Sequence, residues 1–242
     1  MITNGDCNYN EDYKYIKENL EQINYRISRA AAKAGRKPED ITLVAVTKTV
    51  DPRRIKYALE CGVKDAGENW AQELCQKYNI LGDACRWHMI GHLQRNKVRH
   101  IIDKVKLIHS VDSTELAFEI NRRATEKNIV MPVLVQVNVS GEDTKFGING
   151  ENLKELLISI SPLKNIKVKG LMTIAPFEEN PENTRWVFDR LRNLSIDICK
   201  ENIDNIDMDF LSMGMSNDFE VAIEEGSNIV RIGSAVFGRR QY

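Results

Sequence analysis

Lys48 lies near the end of the run LVAVTKTV, residues 43–50. The run is apolar and β-branched, the pattern of a strand buried on both faces, and a lysine there must either reach water or have a task. A primary amine can attack a carbonyl and form a Schiff base, or it can attract an anion. Two serine–glycine stretches offer an anion site: Ser212-Met213-Gly214-Met215-Ser216 and Gly233-Ser234. Backbone N–H groups approach a phosphate most closely at glycine, and serine adds a hydroxyl donor. The same residues also make ordinary capped turns. Arg231 stands inside the apolar run Ile229-Val230-Arg231-Ile232. A buried arginine cannot shed its proton and needs an acceptor, either a structural partner or a ligand. Facing a pyridine nitrogen, it would keep that nitrogen unprotonated and weaken the ring as an electron sink. An amine opposite a phosphate site allows three chemistries: a Schiff base to a phosphorylated sugar, a Schiff base to pyridoxal phosphate, or electrostatic capture. The residues alone leave all three open.

Other polar groups are weaker candidates. Asn69, in Glu68-Asn69-Trp70, can donate to a phenolate or carbonyl. His88 and His92 are four apart, but Gly91 interrupts any common helix face and no third ligand is evident, so no metal is expected. His100 and His109 read as structural or surface groups. Asp143, Lys145 and Phe146 lie in a polar loop placed to act as a lid. The basic run Arg95 to Lys104 reads as a solvated helix face.

The elements that must position these residues follow from periodicity. Apolar runs at residues 43–50, 65–67, 86–90, 105–111, 131–139, 166–172, 208–211 and 229–232 alternate with helical patterns. That alternation predicts an α/β fold, a (β/α)8 barrel, and the chain is near the ~250 residues usual for one. An open doubly wound sheet is the alternative, although the G-x-G-x-x-G fingerprint is absent. An amphipathic helix from about residue 9 to 34, carrying Tyr13, Ile16, Leu20, Ile23 and Ile27, precedes the first strand and is expected to plug the amino-terminal end of the barrel. No linker divides the chain, so one domain is expected over residues 1–242. A barrel gathers its strand ends on one rim, which would bring Lys48, Asn69, His88, Ser113, Asn138, Met172, Ser212 and Arg231 together.

Composition narrows the function classes. The chain has 34 basic and 35 acidic residues, a net charge of -1, without the basic surplus of a nucleic-acid binder. No signal peptide or membrane-spanning run is evident. Five scattered cysteines form no CxxC pair, which points to a reducing cytoplasm.

The ordered motifs GENWAQE, WHMIGHLQRNK, VQVNVSGEDTKFG, GLMTIAP, LSMGMSNDF and VRIGSAVFG extend the LVAVTKTV run to nearly the whole chain, from Leu43 to Arg239. Together they resemble the pyridoxal-phosphate homeostasis protein family. The resemblance implies the alanine-racemase amino-terminal barrel, fold type III of the pyridoxal-phosphate proteins. It implies that Lys48 forms the internal aldimine, that Ser212, Ser216, Gly233 and Ser234 hold the phosphate, that Arg231 faces the pyridine nitrogen and that Asn69 lies near the ring. Met89 to His92 and Asn138 would line the ring side. Trp70 stands where the family commonly has tyrosine, giving a bulkier wall without a hydroxyl. The implied role is that of a non-catalytic carrier or regulator in vitamin B6 and amino-acid balance; a racemase or lyase is the alternative. The chain ends at Tyr242, so the carboxy-terminal β domain of racemases, with its tyrosine base, is not expected. The expected partners are pyridoxal phosphate, amino acids or pyridoxal-phosphate-dependent apoenzymes. A cytoplasmic monomer is expected.

Overall fold

The computed structural model describes residues 12–142 and 144–238. The start of the expected first helix, Cys7 and Asp143 of the expected lid lie outside the described residues. The strands are β1 Thr42–Val46, β2 Asp65–Glu68, β3 Arg86–Met89, β4 Val105–Val111, β5 Met131–Asn138, β6 Ile166–Met172, β7 Ile206–Ser212 and β8 Ile229–Ile232. Between and around them run α1 Lys14–Lys33, α2 Pro52–Glu60, α3 Ala71–Leu81, α4 Val98–Ile101, α5 Thr114–Glu126, α6 Leu153–Ile160, α7 Arg185–Lys200, α8 Phe219–Glu224 and α9 Ser234–Phe237. Each strand is parallel to its neighbours in chain order; β1 also pairs with β8 and β4 with β5, so the sheet closes into an eight-stranded barrel. A short strand, Ile148–Asn149, adds to the end of β5. Closure excludes the open sheet.

Alternation along the strands separates two apolar regions. Val44, Leu107, Leu134, Met172 and Ile229 form a layer inside the barrel. Outward residues such as Ala66, Trp87, Ile108, Val133 and Val168 pack beneath the helices. Each large aliphatic side chain buried this way contributes roughly 1.5–3 kcal/mol. Gly170, at φ 145°, marks the closest approach between strands: a Cβ there would lie 1.9 Å from the Phe210 carbonyl oxygen.

Three expectations are adjusted. β1 ends at Val46, so Lys48 sits in the turn beyond it. The basic run expected to form a helix face begins as a 3-10 turn, Arg95–Lys97, and becomes α-helical only in α4. The first helix does not plug the barrel. Its stripe of Ile16, Leu20, Ile23 and Ile27 packs with Ala45 of β1, Val230 and Ile232 of β8, and Phe219, Val236 and Phe237. It therefore fills the outer layer over β8 and β1, a face that α9, a single turn, is too short to cover. Arg26 pairs with Glu220 at 2.6 Å, Lys33 with Glu224 at 2.8 Å, and Asn19 Nδ2 donates to the Val236 carbonyl at 3.0 Å. No helix among the described residues is long and apolar enough to cross a membrane.

Candidate functional site

The turn that carries Lys48 is clamped on both sides. Thr47 is buried; its hydroxyl donates to Glu68 Oε1 at 2.5 Å, and its carbonyl accepts from Lys77 Nζ of α3. Lys77 also meets Glu68 and Glu73, each at 2.7 Å. On the other side, the Thr49 N–H donates to Glu73 Oε1 at 2.6 Å. Thr49 holds φ at 63°, the left-handed region that a β-branched residue rarely enters, so backbone strain is stored one residue from the lysine. Burial pushes the Glu68 carboxyl up, against the opposing pull of Lys77 and Thr47.

The strand register fixes the lysine's neighbours. Val46 pairs with Gly67 of β2, and Ala45 pairs with Ile232 of β8. Lys48 thus leaves the rim between the loop carrying Asn69 and the loop carrying Gly233. Gly233 lies against β1: a Cβ there would meet Val46 Cβ at 3.2 Å and the Val46 carbonyl oxygen at 3.3 Å.

The two serine–glycine loops meet as their spacing suggested. Ser216 Oγ and Ser234 Oγ are 3.2 Å apart, and Ser216 Oγ accepts from the Ala235 N–H at 3.4 Å. The first N–H groups of α9 belong to the turn where a helix leaves donors without intrahelical partners. Gly214 has φ 92°, and a Cβ there would lie 2.6 Å from Ala222 Cβ. Asp218 closes this loop by accepting the Met215 N–H at 2.6 Å.

Ser212 behaves differently from Ser216. It is fully buried inside the barrel, accepts from Arg231 Nη1 at 2.6 Å and lies 2.9 Å from His109 Nδ1. Arg231 Nη2 donates to the Thr173 carbonyl at 2.8 Å. Burial pushes the Arg231 guanidinium down to about 10, partly offset by Asp218, so it remains charged at neutral pH. From His109 a chain of bonds continues: His109 Nε2 to His88 Nδ1, then His88 Nε2 to Asp65 Oδ1, both 2.9 Å. Arg86 grips Asp65 with two bonds, at 2.7 and 2.6 Å.

Asn69 lines a cleft of about 500 Å3 beside the rim, with Trp70, Met89, His92, Gln136 and Phe146. Its Oδ1 is buried and has no hydrogen-bond partner among the described residues. An orphaned acceptor of this kind is usually answered by a ligand or water. Phe146, from the polar loop, stacks on His92 at 4.1 Å between centroids, and so covers the cleft. Asn138 is turned away to hold that loop, with its Nδ2 donating to the Glu142 carbonyl at 2.9 Å. His88 and His92 face different regions, the barrel interior and the cleft.

An amine, a serine pair above a helix start, a buried guanidinium and an orphaned amide oxygen share one barrel rim. The chain matches the family model for the alanine racemase N-terminal domain over residues 19–241. It is 50% identical to the pyridoxal phosphate homeostasis protein of Aquifex aeolicus, over 93% of this chain and 98% of that protein. The chain belongs to the pyridoxal phosphate homeostasis protein family. Among solved structures, one described as an unknown protein from Bifidobacterium adolescentis superposes with a TM-score of 0.88 and 35% identity, covering 93% of this chain and 95% of that one. PipY of Synechococcus elongatus, solved with pyridoxal phosphate bound, has a TM-score of 0.80 and 30% identity, covering 92% of this chain and all of its own. The rim carries Lys48, Asn69, Ser216, Gly233 and Ser234, and Arg231 and Ser212 are buried inside the barrel beneath it.

Sequence reasoning missed Thr47, Glu68, Glu73 and Lys77, which hold the lysine turn, and Asp65 and His109, which lie behind the arginine. One signal was available. Asp65, His88 and His109 occupy inward positions on three consecutive strands, which is unusual for a barrel interior normally filled by branched apolar residues.

Proposed function

We propose that this protein binds pyridoxal 5'-phosphate reversibly through Lys48 and acts in vitamin B6 and amino-acid homeostasis as a carrier rather than a catalyst. The observation that carries the reading is the contact between Ser216 and Ser234, 3.2 Å apart over the first turn of α9, on the rim where Lys48 leaves β1. A phosphate monoester fits that cradle: two hydroxyl donors, helix-start N–H groups, and glycine at Gly214 and Gly233 where the backbone is crowded. When bound, the cofactor supplies an aldehyde carbon with which a lysine amine can condense. Lys48 would provide that amine, held by the Thr47 and Thr49 clamp. Arg231 would donate to the ring nitrogen and keep it unprotonated, which lowers the ring's capacity to withdraw electrons and favours holding over turnover. Asn69 would address the ring substituents. Ser212 would act one step back, by fixing Arg231. The relatives' description as homeostasis proteins and the PipY complex support the same assignment. A single cofactor-binding domain over residues 1–242, a cytoplasmic location, a monomeric state and hand-over to pyridoxal-phosphate-dependent apoenzymes complete the reading.

The test is a visible spectrum of the purified protein with added pyridoxal phosphate, then borohydride reduction and peptide mapping. A new visible band and a label on Lys48, both absent from Lys48→Ala, are expected. A colourless wild-type protein ends the proposal. Solvent-deuterium uptake at Cα of a panel of amino acids, compared with free cofactor, separates carrier from racemase or lyase; the carrier gives no excess exchange.

A further inference from the structure

The chain of bonds behind Arg231 crosses the barrel interior from one rim toward the other. It begins at Arg86, whose side chain is exposed, and passes through Asp65, His88, His109 and Ser212, one link each from β2, β3, β4 and β7, to Arg231 on β8. Beside the Arg86 end is a second cleft, of about 330 Å3, on whose wall Asp65 and Arg86 lie with Leu20 and Thr42. Apolar packing would fill this volume at less cost than five polar groups, each of which has to find a partner.

The direction of every bond can be worked out from its ends. Arg231 has donors only, so Ser212 Oγ accepts from it. Asp65, held as a carboxylate by two bonds from Arg86, accepts only, so His88 Nε2 carries hydrogen. A neutral imidazole has one ring hydrogen, and with that hydrogen on His88 Nε2 its Nδ1 is bare. With His88 Nδ1 bare, His109 Nε2 must carry the hydrogen between the two rings. His109 Nδ1 is then bare and accepts from the Ser212 hydroxyl. Each group accepts on one side and donates on the other, and the chain runs without a break from the guanidinium to the carboxylate.

We propose that Asp65, His88, His109 and Ser212 form a one-way hydrogen-bond relay, with both histidines neutral and protonated at Nε2, whose task is to position Arg231 toward the ring nitrogen of the bound cofactor. The last clause rests on the proposed cofactor reading; the relay itself does not. His88, His109 and Ser212 are positioning residues in this scheme. They do not touch the cofactor, and they set the orientation of the group that does. The relay also gives Asp65, at the far end of the chain, an influence on the cofactor's electronic state.

Two measurements test it. The first uses the cofactor-free protein, labelled with nitrogen-15 in its histidines, and reads the imidazole nitrogen shifts at neutral pH; His92→Ala and His100→Ala assign the remaining signals by elimination. Both buried rings are expected as neutral Nε2–H tautomers. An Nδ1–H tautomer or an imidazolium at either ring overturns the relay and leaves the cofactor reading intact. The second uses the cofactor-loaded protein and follows its visible band against pH. Asp65→Asn and Ser212→Ala, which cut the relay at opposite ends, are each expected to shift the band's protonation midpoint by about one pH unit and to speed cofactor release about tenfold. Unchanged midpoints in both variants refute the positioning role even if the tautomers are as expected. A variant that does not fold is replaced by His109→Gln, for which the same shift is expected and an unchanged midpoint counts equally against the proposal.

Discussion

Lys77 donates to the backbone carbonyl of Thr47, the residue immediately before Lys48. One lysine of the chain thus holds the backbone that presents another. The same ammonium binds Glu68 and Glu73, and Glu73 in turn accepts the Thr49 N–H on the far side of Lys48. The rim turn is fixed from outside the barrel, between β2 and α3.

Lys77→Met tests that clamp. It leaves the buried Glu68 carboxyl without its cation, and removing one member of a buried pair costs about 3–5 kcal/mol. Urea unfolding measures the loss. Replacing Glu68 by leucine in the same chain is expected to recover most of it. A single variant as stable as wild type means that the clamp carries no weight.

The buried imidazole of His109 makes stability fall in mild acid. Burial first, with the Arg231 guanidinium adding to it, holds its pKa well below the ordinary histidine value. The folded chain therefore refuses a proton that the unfolded chain accepts. Its contribution is complete above the unfolded pKa of about 6.5 and is lost as pH falls from there toward the folded pKa, at up to ~1.4 kcal/mol per pH unit. His109→Gln is expected to lower stability overall but to flatten its dependence between about pH 6.5 and 5. Urea midpoints across that range, for both proteins, give the comparison; equal slopes contradict it.

Gly91→Ala targets the cleft wall. A Cβ there would lie 2.4 Å from the Asn69 carbonyl oxygen and 2.7 Å from Asn69 Cα, so the Asn69 backbone must move. The expected cost is about 1–3 kcal/mol from overpacking. A larger relative effect is expected on cofactor retention, because Asn69 carries the orphaned oxygen. Thermal melting and equilibrium dialysis separate the two effects. If stability drops while retention stays normal, Asn69 is not a cofactor contact.

Ser216→Ala and Ser234→Ala each remove one donor from the anion cradle. A hydrogen bond to a charged group is worth ~1.5 kcal/mol or more, so each change should weaken pyridoxal phosphate binding at least about tenfold. Binding of pyridoxal, which lacks the phosphate, should hardly change. Loss of affinity for both compounds alike would place the serines elsewhere in the site.

Residues that act through their own neighbours were legible in the sequence. Lys48 announced itself as a charge at the end of an apolar run, and Ser216, Gly233 and Ser234 as donors in turns after strands. The closed barrel followed from eight apolar runs alternating with helices. What stayed hidden depends on register. His109 reads as an ordinary histidine until β3 and β4 are aligned, because its partners stand 21 and 103 positions away. Ser212 and Ser216 look equivalent in SMGMS, yet the last residue of β7 points into the barrel while the loop residue stands at the rim. Lys77 hides among helix residues, since only the packing of α3 against β2 shows that its amine is buried. The plug expected of the first helix failed for a related reason: an apolar stripe states that a face is covered but not by what.

The latch between α1 and the Val236 carbonyl joins positions 217 residues apart. Contacts of that separation are slow to form, because nearly the whole chain must be ordered before they reward its closure. Helix α1 therefore waits for α9, which follows it by some two hundred residues, and α9, which carries Ser234, is fastened only when the two meet. The contact between Ser216 and Ser234 is therefore expected among the last to form, after α1 has docked.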